Sequence, residues 1–254
     1  MKQIILLAVF AFTAISIQPQ VYIFENSGQP ISTKDRVKID RVIQYETEFY
    51  KQFGEIDTIQ IKLRLFAKKE AYQAYLKSNK IAKTFYHSGG MYRPKTKELL
   101  VLKPENANYL KIVYHETSHY LLHLVISKQP RWLSEGLAEY FENINLGKKK
   151  ITHEIPPATT SFIKSMIDLK EIDLQDFILM KSKDFWKETI TNESYPYRIS
   201  HGIVYFLIEK DSEQFKQIVL KIKNGSASYD TINETYAGGF TQFEKDFIKY
   251  YLKK

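Results

Sequence analysis

Cysteine is absent from all 254 residues. Disulfides and a cysteine-borne lipid are therefore excluded, and the folded chain is held by its core and by any metal it binds. A run apolar enough to span a bilayer is missing as well. The apolar stretch Ile4 to Ile15 falls short of the roughly twenty residues a membrane helix needs. With Lys2 before it and the small residues Ala14 and Ser16 at its end, it reads instead as a signal peptide over residues 1–20, and the mature protein as exported to a bacterial periplasm or beyond. There is no linker rich in Gly, Pro or Ser, no internal repeat and no low-complexity tract, so residues 21–254 read as one domain. Nor is there a long block of one charge. The net charge of +8 is spread along the chain, and no motif interleaves bases with aromatics, which argues against a nucleic-acid partner while leaving a surface that favours anionic ones.

What is present is a sizeable apolar complement, 44% hydrophobic with 14% aromatic, and clear periodicity. An extended start at Val21 to Phe24 precedes a helical pattern from Thr33 to Phe53, whose apolar face reads Val37, Ile39, Val42, Ile43, Tyr45 and Phe49. Alternating Ile59, Ile61, Leu63 and Leu65 mark a strand over Thr58 to Phe66, and Lys68 to Lys80 returns to helix. Phe85 to Met91 and Glu98 to Leu102 flank the turn-like Arg93 to Thr96 as two hairpin strands. Beyond residue 155 the amphipathic stretches are Thr159 to Leu169, Leu174 to Lys187, Ser200 to Glu209, Ser212 to Lys223 and Thr241 to Leu252. These patterns predict an α+β chain, with an upper α/β lobe over about residues 21–125 and a mostly helical lower lobe over about 126–254. Trp186 and the aromatics around it are expected in the core.

Chemistry concentrates between Tyr114 and Glu142, YHETSHYLLHLVISKQPRWLSEGLAEYFE. On a helix, His115 and His119 stand one turn apart on one face and can share a metal ion, with Glu116 beside them; this is the HExxH pattern of zinc hydrolases. Neutral imidazoles suit zinc, and a catalytic site wants a third protein ligand plus an open position. Past Pro130 a second helical pattern carries Glu135, Glu139 and Glu142 at helical spacing, and spacing alone leaves Glu135 and Glu139 both open as the third ligand. His123 lies about 12 Å along the axis from His115, too far to share an ion. Taken alone, HExxH arises by chance in roughly one chain in a hundred of this composition.

HETSH followed by RWLSEGLAEYFE resembles the gluzincin metallopeptidases, and in particular small bacterial proteins with an aminopeptidase-like catalytic core. The second motif of that family is a tryptophan-led helix, and Trp132, Leu133, Glu135, Gly136, Leu137, Ala138 and Tyr140 fit it. The resemblance selects Glu135 as the third ligand and implies that Glu139, one turn on, orients a ligand histidine. It implies a zincin-like fold, with a small mixed sheet whose edge strand, here at Gly89 to Arg93, lies beside the HExxH helix and takes an extended peptide. Related aminopeptidases carry G-x-M-E-N at that distance, with the glutamate holding the substrate amine. Tyr92 and Arg93 stand in its place here, which argues against action at a free N-terminus. The family also places an oxyanion-steadying tyrosine at about the position of Tyr197, with Tyr195 and His201 behind it.

The expectation is thus an exported peptidase with one Zn2+ on His115, His119 and Glu135, in which Glu116 serves as general base in cutting internal bonds of a peptide or protein substrate. The competing expectation, from a different class, is an inactive envelope protein that keeps the fold and uses the groove to bind a peptide or partner.

Overall fold

The computed structural model describes residues 21–105, 108–148, 150–191 and 194–254. The leader read at 1–20 lies outside the described residues. The first half alternates β1 (Val21–Gly28), α1 (Thr33–Lys51), β2 (Thr58–Phe66), α2 (Lys69–Ser78), a short 3-10 turn (Lys83–His87), β3 (Gly90–Arg93) and β4 (Glu98–Leu102). Then come α3 (Tyr109–Val125), α4 (Arg131–Glu142) and a small hairpin of β5 (Ile144–Leu146) and β6 (Ile151–His153). Seven helices follow among the described residues: α5 (Pro157–Asp168), α6 (Leu174–Leu179), α7 (Ser182–Thr191), α8 (Ser194–Lys210), α9 (Ser212–Lys223), α10 (Ser228–Thr235) and α11 (Gly239–Lys253). The chain is a mixed α+β structure, with a small mixed sheet and a helical C-terminal half.

The main sheet runs β1-β2-β4-β3, with β1, β2 and β4 parallel and β3 antiparallel to β4 at the edge. Strict alternation in β2 sends Ile59, Ile61, Leu63 and Leu65 to one face, where α1 and α3 cover them. Leu100 on the other face packs with Tyr72 and Leu76 of α2. The larger core is continuous from this sheet through α3 and α4 to α8, α9 and α11. At its centre α4 lies hard against α8. A Cβ on Gly136 would stand 2.4 Å from the Ser200 carbonyl oxygen and 2.5 Å from Val204, so only glycine permits that approach.

The structure departs from the periodicity in several places, each with a local cause. Val37 is 62% exposed, because it sits about half a turn from the stripe Ile39, Val42, Ile43 and Tyr50 that α1 buries. The strand expected over Phe85 to Met91 begins only at Gly90. The Ser88 amide at 3.3 Å and its Oγ at 2.9 Å both meet the Phe85 carbonyl, a local closure that holds this stretch as a 3-10 turn instead of a strand. The pattern at Leu174 to Lys187 breaks at Met180 into α6 and α7. Helix α8 starts at Ser194, six residues before the expected Ser200, since Pro196 is tolerated in a first turn. The hairpin β5–β6 and helix α10 had no clear periodic signature.

Candidate metal centre

Helix α3 supplies two of the candidate ligands and α4 the third. One turn of α3 brings His115 Nε2 to 3.2 Å from His119 Nε2. Pro130 caps α4 and accepts the Leu133 and Ser134 amides on its carbonyl, which turns the chain back so that Glu135 Oε2 lies 3.6 Å from His115 Nε2 and 3.4 Å from His119 Nε2. The outer nitrogens are held too. His115 Nδ1 meets Glu142 Oε2 at 3.0 Å, and His119 Nδ1 meets Ser134 Oγ at 3.1 Å. An ionised carboxylate only accepts, so Nδ1 of His115 donates to Glu142, and in the neutral form of the ring Nε2 is left with a lone pair; the Ser134 contact is compatible with the same tautomer for His119.

Two ring nitrogens and a carboxylate oxygen therefore converge on one point with their lone pairs, and repel one another unless a proton or a cation lies between them. The spacing suits a cation. A tetrahedral ion with bonds of about 2.0–2.1 Å sets its ligand atoms about 3.3 Å apart, against 3.2, 3.4 and 3.6 Å here. A proton between the imidazoles and the carboxylate answers the same repulsion. Burial opposes ionisation of Glu135, but the charges of and hydrogen bonds with the two imidazoles hold its carboxyl well below the usual carboxylate range. Burial lowers His115, and its bonds to Glu135 and Glu142 more than reverse that.

Of the two later glutamates, it is Glu142 that reaches the ligand histidine; Glu139 Oε1 is 4.0 Å from His115 Nδ1. The contact with a histidine expected of Glu139, one turn after Glu135, is made by Glu142 two turns after it, because the seven-residue step returns to nearly the same helix face. Glu139 borders this pair, and burial together with the charge of Glu142 raises its carboxyl. His115, Glu139 and Glu142 also bring ligand atoms within 4.8 Å of one another, but Nδ1 of His115 is already committed to Glu142.

Glu116 stands beside the triad in an open cavity of about 350 Å³, bounded by α3, α4, β3, α7 and α8. It is 6% exposed, and burial lifts its carboxyl above the ordinary value while the two imidazoles and a Tyr92 backbone hydrogen bond oppose the rise. The Tyr92 amide donates that bond. The Leu102 amide bonds the Gly89 carbonyl at 2.8 Å, so 89 and 91 face β4 while the backbone groups of 90 and 92 turn out of the sheet toward the cavity. A Cβ on Gly90 would meet Glu116 Oε1 at 2.8 Å and Ile112 Cγ2 at 2.4 Å; glycine is what lets the edge strand lie against this carboxylate.

Tyr197 lines the same cavity, its ring edge-on to Phe185 at 6.3 Å. Tyr195 points elsewhere, packing on Phe162 and Phe177. His201 is fully buried on α8, and burial lowers it to about 3. His123 is a rim residue beside Tyr92. Arg93 is drawn away from the cavity by Glu98 at 3.0 Å and Asn79 at 3.2 Å. Sequence reasoning missed Glu142, Ser134, Arg131 and Trp186 as site residues. The spacing of Glu142 from Glu135 was a usable signal; Trp186, expected in the core, reaches the cavity wall only through the packing of α7.

Residues 110–226 match a family described as "Protein of unknown function (DUF1570)". The matched span runs from α3 into the helical half and contains the triad, Glu116, Glu142 and Tyr197. No curated protein matches the chain.

Proposed function

We propose that this chain is an exported zinc peptidase of gluzincin type with a zincin-like fold, cutting internal bonds of a peptide or protein. The observation that carries the reading is the placement of Glu116. Its buried carboxylate shares an open cavity with a His, His, Glu donor set, although holding a metal requires no such neighbour. His115, His119 and Glu135 would hold one Zn2+, which when bound supplies Lewis acidity toward a carbonyl and lowers the pKa of water.

The remaining work falls to side chains and backbone. Glu116 takes a proton from the attacking water and later gives it to the leaving amine. Burial favours that exchange by raising the carboxyl toward the pH at which it must both accept and donate. Tyr197 donates its phenol hydrogen to the oxygen on which charge develops. With the Gly90 carbonyl bonded by Ser88 Oγ and the Tyr92 amide by Glu116, the edge offers an extended chain the Gly90 amide and the Tyr92 carbonyl. The segment at Gly89 to Arg93 offers no carboxylate for a free amine, with Tyr92 packed on Tyr120 and Arg93 paired with Glu98, which supports internal cleavage.

The test pairs zinc content with cleavage of an unbiased peptide mixture. Purified mature protein is expected to bind one zinc and cut internal bonds, and Glu116→Gln to keep the zinc while its turnover falls by about 10²–10⁴. Zinc binding by both proteins with cleavage by neither would replace this reading with that of a peptide-binding envelope protein.

A further inference from the structure

We infer that Arg131 is a specificity residue that receives a carboxylate of the substrate beside the bond to be cut. The inference rests on the peptidase reading for its substrate class and deepens it. Arg131 opens α4, one turn before Glu135, and lines the same cavity as Glu116. Three partners fix its side chain. The guanidinium lies over the Trp186 indole, 5.0 Å from the ring centroid; Nε donates to Ser182 Oγ at 2.9 Å; and Nη1 faces Glu135 Oε1 at 3.7 Å. Trp186 is itself braced edge-on by Phe85 at 5.4 Å and Phe185 at 5.6 Å. The ordering cost of a long side chain is therefore met in the free protein, and a planar fork is presented to the cavity already oriented.

The existing partners leave that fork with capacity. At 3.7 Å the Glu135 contact is an ion pair without a hydrogen bond, so the Nη hydrogens are not consumed there. Glu135 directs its other oxygen, Oε2, to the two imidazoles, so its negative charge is shared with the ion the triad would hold. Among the described residues lining the cavity the only carboxylates are Glu116 and Glu135. An incoming anion thus meets a fixed cation and no further acidic side chain. The chain's net charge of +8 steers in the same direction. A carboxylate is the group whose two oxygens match a guanidinium fork; in a peptide it comes from an Asp or Glu side chain or from the C-terminus.

The experiment uses zinc-loaded Glu116→Gln protein and three randomised peptide pools, acetylated at the N-terminus. One has a fixed internal Glu and an amidated end, one a fixed Gln and an amidated end, and one a fixed Gln and a free carboxyl end. Retention is read by mass spectrometry, and zinc content is measured for every protein. Retention of at least one carboxylate pool about tenfold or more above the amidated Gln pool is expected; which pool responds identifies the source of the carboxylate. Adding Arg131→Gln should bring the ratio close to one, and Arg131→Lys, which keeps the charge but not the fork, should leave it between. The inference is overturned if the parent shows no preference, or if the preference survives Arg131→Gln with zinc bound. Should Arg131→Gln lose its zinc, the Arg131→Lys ratio decides by whether it falls. Cleavage of all pools by the wild-type chain without preference sinks this inference alone. An Arg131-dependent preference with no cleavage sinks the peptidase reading and leaves the carboxylate site standing.

Discussion

The cavity has two unlike walls. One is a single helix pair, α3 and α4, whose His115, His119 and Glu135 come from within 21 residues of sequence and stand on helices sunk in the main core. The other is assembled from β3, the 3-10 turn, α7 and α8, which contribute Gly90, Phe85, Trp186 and Tyr197 from segments more than 90 residues apart. The first wall gathers donor atoms to within a few tenths of an ångström of the spacing a tetrahedral ion would set. The second offers outward backbone groups and aromatic faces. On the proposed function, metal binding falls to the first wall and substrate handling to the second, with Glu116 on the Tyr92 amide and Arg131 on the Trp186 ring as the contacts between them.

The largest break should come from the ion wall. His119→Ala removes one of three ligands and is expected to abolish both stoichiometric zinc and peptide cleavage, while the secondary structure persists because its ring is not part of the apolar core; zinc analysis with circular dichroism checks it. On the chain wall, Tyr197→Phe should lower kcat by about 10²-fold with zinc content unchanged. A similar loss accompanied by lost zinc would show that the two walls are not separable.

A smaller effect distinguishes the two glutamates behind His115. Glu142→Gln, which weakens the acceptor at Nδ1, should reduce zinc affinity by about 10- to 100-fold, and Glu139→Gln should reduce it less, since Glu139 is 4.0 Å from that nitrogen. Competition with a chromogenic chelator ranks them, and the reverse order would return the orienting role to Glu139.

The smallest effect concerns stability and lies behind both walls. His201 is buried neutral, its pKa depressed to about 3 from 6.5. The unfolded state binds its proton first as pH falls below 6.5, so folding loses stability on acidification through that range until the folded value is reached. At pH 5 the loss is about 2 kcal/mol from this residue. A His201→Phe variant should show a correspondingly flatter fall in urea stability between pH 7 and 5, and an unchanged slope would mean that His201 is charged in the fold.

Much of this was legible beforehand for a simple reason. Helical periodicity is local, so α1, β2, α9 and the HExxH pair follow from side-chain order within a few turns. The hairpin β5–β6, the helix α10 and the break at Met180 were not, because their short segments carry too little periodic signal to outweigh turn chemistry and packing. Likewise Glu139 and Glu142 share nearly one face of α4, and only the packing of α4 against α3 decides which reaches His115.

By itself, then, the sequence determined that a His, His, Glu trio and a carboxylate partner occur at helix-compatible spacing, that no disulfide supports them, and that Tyr92 and Arg93 stand where the resemblance places an amine-binding glutamate. Tertiary structure decided the rest: that Glu135 Oε2 meets both imidazoles, that Glu142 holds His115, that Gly90 lets the edge strand touch Glu116, and that Arg131 is pinned beneath Trp186. The division is physical. Spacing along a helix is fixed by backbone geometry common to all chains, whereas contacts between segments depend on how particular cores close, as α4 closes on α8 across Gly136.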